Sequence, residues 1–225
     1  MKLPPGQLRI VDFPRFGLGG RPPPVPPDPT IEIGGGLGER VTIRVSELAT
    51  MPRRTLTADF HCVSGWTATD LHWEGVAFAD LYDAVLRPRL APDRAVTHVV
   101  LQGLDGYRSV AWLEDLLDPD VLVADRLDGR PLDSDHGAPA RVVSPAQYGY
   151  MSTKHLARIE LHTSEPRVRY HPSRRSHLRL QLVKPHPRAR VSREERHRYL
   201  PGRLVRPLYH RLIRLVRTRN AATPG

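Results

Sequence analysis

Between residues 31 and 162 the apolar residues arrive in short runs, β-branched or alternating with polar residues, and glycine, proline or an Asp-Gly pair stops each one. Ile31-Glu32-Ile33 and Val41-Thr42-Ile43-Arg44-Val45 alternate on either side of Gly34-Gly35-Gly36-Leu37-Gly38 and predict a hairpin. Those glycines are followed by alternating β-branched residues. No helix N-terminus therefore faces a phosphate, and a nucleotide loop is excluded. Ser46-Glu47-Leu48-Ala49 predicts a helical turn capped by Ser46, and residues 54–62 an extended segment. Phe78, Leu81, Tyr82 and Val85 share one face of a short helix over 79–86. Strands are expected at 97–101, 120–124, 141–143 and 159–162, with turns at Asp105-Gly106 and Asp128-Gly129 and a short helix over 152–157. Many short strands with few short helices predict an α+β fold with a mixed or antiparallel sheet. No apolar run approaches the ~18–20 residues of a membrane span.

The two ends differ from this middle. Nine of the 23 prolines fall within the first thirty residues, so residues 1–30 read as an extended segment wrapped on a domain spanning 31–165. The net charge of +10 is concentrated in one place. Residues 166–225 hold 17 of the 34 Lys and Arg but only two of the 24 acids, which gives this extension +15 and the rest of the chain −5. Nucleic acid is therefore not the partner that the overall charge suggests. Leu204, Val205, Leu208, Tyr209, Leu212, Ile213 and Val216 form an apolar stripe among arginines, a basic amphipathic helix. Docking on the acidic body is the expected use, and contact with a membrane surface the alternative. The first residues have neither a secretory nor a twin-arginine pattern, so the expected compartment is cytoplasmic.

Several chemistries drop out on spacing. Tyr150 and Lys154 form a Y-x-x-x-K pair, but no strand, Gly-rich turn and helix unit precedes it to bind a dinucleotide. His61, His72, His98, His136 and His155 lack zinc-site spacing, and no nucleophile elbow or Walker loop occurs. Cys62 is the only cysteine, which excludes an internal disulfide and an iron–sulfur cluster held by this chain alone. Such a cysteine is most often a small buried hydrophobe. Here it ends an extended run and enters a Ser/Gly/Thr-rich loop, where a soft thiolate beside His61 could ligate a metal.

The order of motifs narrows this further. Phe60-His61-Cys62-Val63-x-x-Trp66, Trp73-x-Gly75-Val76, Asp80-Leu81 and Asp105-Gly106-Tyr107 are followed by Leu127-x-Gly129-x-Pro131-Leu132. His136-Gly137-x-Pro139-x-Arg141 and Tyr148-Gly149-Tyr150-x-Ser152-x-Lys154 complete the series. Over roughly residues 30–165 the chain resembles the sulfite-oxidase-type molybdopterin oxidoreductases, and in its Cys loop the bacterial protein-methionine-sulfoxide reductase catalytic subunits. The resemblance implies a sulfite-oxidase-like molybdopterin-binding fold and two-electron oxygen-atom transfer at molybdenum, with Cys62 as metal ligand beside the dithiolene of one molybdopterin. It places Arg141, His136 and the segment Tyr148, Gly149, Ser152, Thr153 and Lys154 on the cofactor, and Arg15 weakly so. Trp66 and His61 would complete the catalytic set, as pocket wall and proton relay.

The departures concern substrate. Sulfite oxidases follow the cysteine with arginines, whereas residues 63–69 carry no cation and include Trp66. Sulfite is therefore an expected poor substrate, and a small apolar sulfur- or nitrogen-oxo compound a better one. The sequence carries no haem, flavin or iron–sulfur motif, so a separate electron-transfer protein is the implied partner. A sulfoxide-reductase direction is the alternative within enzymes. Outside them stands a non-catalytic basic adaptor that binds nucleic acid or a membrane through its tail.

Overall fold

The computed structural model describes residues 3–14, 21–35, 40–90, 95–175, 178, 184–209 and 211. In chain order its strands are β1 (Leu8–Ile10), β2 (Thr30–Gly35), β3 (Val41–Arg44), β4 (Arg53–His61), β5 (Trp66–Ala77) and β6 (His98–Gly103). They continue as β7 (Arg108–Trp112), β8 (Leu122–Leu127), β9 (Arg130–Pro131), β10 (Arg141–Val143) and β11 (Leu156–His162). The helices are short: α1 (Phe78–Leu81), α2 (Leu113–Leu116) and α3 (residues 202–209).

The strands make two mixed sheets. One runs β3-β2-β11-β6-β7, with β2 and β11 parallel and the other pairs antiparallel. The other is built on the long β5, with β4 antiparallel along one edge. The opposite edge is shared by β1, parallel to Trp66–Ala68, and β8, antiparallel to Trp73–Ala77, and β8 also takes β9 and β10. Alternating residues of the first sheet, including Ile31, Ile33, Val99, Leu101, Ile159 and Leu161, pack with Phe78, Leu81, Leu86 and Leu116 into the main core. A second, aromatic core surrounds Cys62, Trp66 and Trp73, with Phe13 and Phe60 against it.

The expected hairpin forms as β2–β3, although residues 36–39 lie outside the described residues. The helical turn over Val45–Thr50 is present, but Ser46 does not cap it: the Glu47 carboxylate accepts from the Arg44 N–H at 2.8 Å. No helix occupies 152–157. Residues 150–155 turn, His155 adopts φ 55°, and β11 begins at Leu156. The Ser/Gly/Thr-rich loop after Cys62 is also a correction. Only Val63, Ser64 and Gly65 separate Cys62 from β5. The N-terminal segment supplies β1 as well as extended chain, and the tail enters the core through Ala189 and Val191. Among the described residues no helix is long and apolar enough to cross a membrane.

Candidate active site

Cys62 stands at the tip of the β4–β5 hairpin. Its N–H donates to the Trp66 carbonyl at 2.8 Å and its carbonyl accepts from the Gly65 N–H at 2.9 Å. Gly65 closes this turn at φ 102°, a conformation that other residues adopt only under strain. The thiol is 5% exposed, and burial pushes its pKa up while a 3.0 Å contact with the Ser64 hydroxyl, Arg196 and Lys154 draw it down. The next residue back is tied elsewhere. His61 Nδ1 meets the Thr67 hydroxyl at 2.8 Å, Thr67 donates to Gln7 Oε1 at 3.1 Å, and Gln7 donates to the Cys62 carbonyl at 3.3 Å. Because Thr67 gives its hydrogen to Gln7, it accepts from His61 Nδ1–H, and burial keeps the imidazole neutral by lowering its pKa. This chain braces the turn against the N-terminal segment and ends on a backbone carbonyl.

Trp66 is buried, with its ring centroid 5.9 Å from Phe60 and 6.5 Å from Phe13. Phe60 joins the turn to a second group of predicted residues. Its ring lies 5.2 Å from the Arg141 guanidinium, and Gly149 packs so closely on it that an added Cβ would stand 2.1 Å from Phe60 Cζ. The Gly149 N–H donates to the His61 carbonyl at 2.7 Å.

Arg141 is completely buried on β10. It donates to the carbonyls of His136 at 2.8 Å and Ser152 at 3.2 Å, and its guanidinium sits among the rings of Phe13, Phe60 and Trp73. No carboxylate pairs with it among the described residues, and burial pulls its pKa down to about 9. His136 faces acceptors on both ring nitrogens, Asp133 at 2.8 Å and the Phe13 carbonyl at 2.8 Å. Lys154 Nζ reaches the Asp135 carbonyl at 2.5 Å, the Ser152 hydroxyl accepts from the Ser144 N–H, and Thr153 pairs with Ser109 at 2.7 Å. These residues surround one buried cation that lacks a counter-charge. A phosphate-bearing group fits a buried cation without a counter-charge, and a soft metal fits the Cys62 thiol, on which Lys154 of the same group acts.

Tyr148 is placed differently. Its ring stacks under Arg196 of the C-terminal extension, 5.0 Å away, and burial pushes its hydroxyl pKa up to about 12. Tyr107 donates to the Tyr150 carbonyl, and the Tyr150 hydroxyl reaches carbonyls of residues 186, 195 and 196, so Tyr150 holds the extension in place. Arg15 lies outside the described residues. The residues that sequence reasoning did not single out for the site are Gln7, Phe13, Arg196 and Tyr209, the last named only as part of the tail's apolar stripe. Each comes from an end of the chain, and only the fold brings it to the turn. Arg196 also changes the premise of the sulfite expectation. The turn carries no cation, but a cation from the extension donates to the Val63 carbonyl within it.

The model of the oxidoreductase molybdopterin binding domain matches residues 21–170, two thirds of the chain. The chain belongs to this family. It is 28% identical over 162 residues to an uncharacterized oxidoreductase of Bacillus subtilis, YuiH, covering 71% of this chain and 78% of that one. It is 28% identical to the protein-methionine-sulfoxide reductase catalytic subunit MsrP of Xanthomonas axonopodis, and 29% identical to mitochondrial sulfite oxidase of Drosophila melanogaster. The matches cover 63% and 60% of this chain but only 47% and 27% of those proteins. The sulfane dehydrogenase SoxCD of Paracoccus pantotrophus shares the fold, with a TM-score of 0.52 at 22% identity over 60% of this chain and 38% of that one. The domain is thus an oxidoreductase of sulfite-oxidase type with molybdopterin as its cofactor, and the reading as a non-catalytic adaptor falls.

Proposed function

We propose that this domain carries out two-electron oxygen-atom transfer on a small sulfur- or nitrogen-oxo substrate, with Cys62 as the protein ligand to molybdenum. The carrying observation is the only cysteine, at a hairpin tip, in the aromatic cluster against which Phe60 packs, with the Phe60 ring also 5.2 Å from the counter-charge-free Arg141. The cofactor, when bound, supplies the two-electron redox chemistry. The protein's part is to hold and exclude. Arg141 and Lys154 would neutralise the phosphate, with His136, Gly149, Ser152 and Thr153 shaping the backbone around them. The braced turn would fix the Cys62 thiolate, and Trp66, Phe60 and Phe13 would keep water from it. A separate electron carrier completes the reaction, since the sequence given has no redox motif of its own. The similarity to a methionine-sulfoxide reductase and this aromatic wall favour a thioether or sulfoxide, so a reductase direction is the second reading.

Elemental and pterin analysis of protein purified from a host that makes the cofactor tests this proposal. One molybdenum and one pterin per chain are expected, with pterin but no redox turnover in Cys62→Ser. Protein without molybdenum, or a Ser variant with wild-type turnover, would overturn it.

A further inference from the structure

Arg196 is wholly buried and lies 133 positions beyond Val63. It donates to the carbonyl of Val63, inside the Cys62 turn, and to that of Gly6 at 3.0 Å, so one side chain ties three distant segments together. Its guanidinium is sandwiched between Tyr148, 5.0 Å away, and Tyr209 of α3, 5.4 Å away. We infer that Arg196 is a positioning residue for Cys62: it latches residues 194–209 over the Cys62 turn as a removable strap, and the thiol is reached only when this latch lets go.

The strap has an identifiable start. Ala189 and Val191 are built into the core and stay with the body, whereas Glu194 takes a left-handed φ of 53° immediately after a single 3₁₀ turn. Beyond it the bonds are of two kinds. Glu194 pairs with Arg206, which lies within the strap and adds nothing to its hold on the body. Arg196, the carbonyls reached by Tyr150, the backbone bonds from the Glu195 N–H to the Arg190 carbonyl at 3.1 Å and from the Arg198 N–H to the Lys184 carbonyl at 2.8 Å, and the pairs Arg198–Glu165 and Glu195–Arg190 reach the body itself. The partly exposed Arg198–Glu165 pair contributes little. Arg196 is different because its side chain is wholly buried, and a buried donor that loses its acceptors keeps the full cost of desolvation. The latch is nonetheless loosely compensated. Its Nε has no partner among the described residues, and its only carboxylate neighbour there, Glu194, is 3.8 Å away and shared with Arg206. α3 lies on the surface rather than in the core, since Leu204 and Leu208 on its outer face are 68% and 59% exposed. A surface segment joined to the body by one wholly buried side chain and a short rim of backbone and ion-pair bonds opens as a unit. With the thiol 5% exposed, a group the size of a pterin requires such an opening.

This inference rests on the proposed function only for what passes the strap. Its test is the rate at which N-ethylmaleimide labels Cys62, the only thiol, in the full chain made in a host lacking the cofactor, well below the melting temperature. Wild type is expected to label slowly, and Arg196→Ala and Tyr209→Ala at least about ten-fold faster. Arg196→Lys should fall between, because an ammonium lacks the fork that serves two carbonyls. Acceleration in the two alanine variants with partial rescue by lysine supports the latch. Wild-type labelling as fast as in the urea-unfolded chain would overturn it, as would alanine variants that label at the wild-type rate. Should Arg196→Ala fail to fold, Tyr209→Ala decides, since its ring covers the latch from the surface helix. Absence of molybdenum would sink the proposed function and leave this result standing.

Discussion

A guanidinium at zero exposure among three aromatic rings, with carbonyls but no carboxylate for company among the described residues, is costly to fold around, and Arg141 is such a group. That cost makes sense if the site is built for an anion. Arg141→Gln should therefore leave the cofactor-free protein melting within a few degrees of wild type, while pterin content falls at least about ten-fold. Unchanged pterin content would separate Arg141 from the cofactor. Gly149 tests the neighbouring contact. A Cβ would meet Phe60 at 2.1 Å, so Gly149→Ala should cost about 1–3 kcal/mol by overpacking, read in a denaturant titration. Stability equal to wild type would show that Phe60 is free to move. Cys62, Arg141, Gly149, Ser152 and Lys154 could be named as candidates from the sequence because their motifs keep a fixed order. Arg196 could not, because a cation among 17 Lys and Arg in the last sixty residues gives no sign of which one is buried.

The β4–β5 hairpin does the positioning at the level of elements, and the sequence reveals only half of it. β4 reads as extended chain from its β-branched and alternating residues. β5 hides because its buried residues change parity, Trp66 and Ala68 before Asp70, Leu71 and Trp73 after it. The break is a bulge, with a register shift between Ala58 and Phe60 and Asp70 at φ 60°. Strict alternation fails there, so a Ser/Thr/Gly-rich composition reads as loop. The supposed helix at 152–157 fails for a different reason. The Tyr150–Lys154 spacing suits a helix, but residues 150–155 have to turn around Arg141 and deliver Leu156 to β11. At the tip, Gly65→Ala forces a side chain into φ 102°, at a cost of about 1–2 kcal/mol. The same change should lower molybdenum occupancy, because it shifts the residue that closes on the Cys62 carbonyl. Full occupancy in that variant would mean that the turn tolerates distortion.

Both ends of the molecule converge on the same turn, Gln7 and Phe13 from one and Arg196 and Tyr209 from the other. The composition showed two unusual ends and a basic tail. It could not show that they meet, because contacts across most of the chain leave no local periodicity. Burial has a further consequence for the whole molecule. His61, His98, His155 and His186 all have pKa values below the ordinary 6.5, each mainly through desolvation. Their unfolded forms take up protons near pH 6.5 while the folded forms do not, so the unfolded state binds more protons as pH falls. The stability they contribute is present above that range and lost below it. The melting temperature should drop between about pH 7.5 and about pH 5, and a flat or rising curve would contradict the burial of these rings.

The central claim, that Cys62 is the ligand through which this chain holds its metal, is tested most directly by X-ray absorption at the molybdenum edge, comparing wild type with Cys62→Ser. The account predicts one sulfur neighbour fewer around molybdenum in the variant, with pterin retained through Arg141 and Lys154. An identical sulfur count in the two proteins would contradict it.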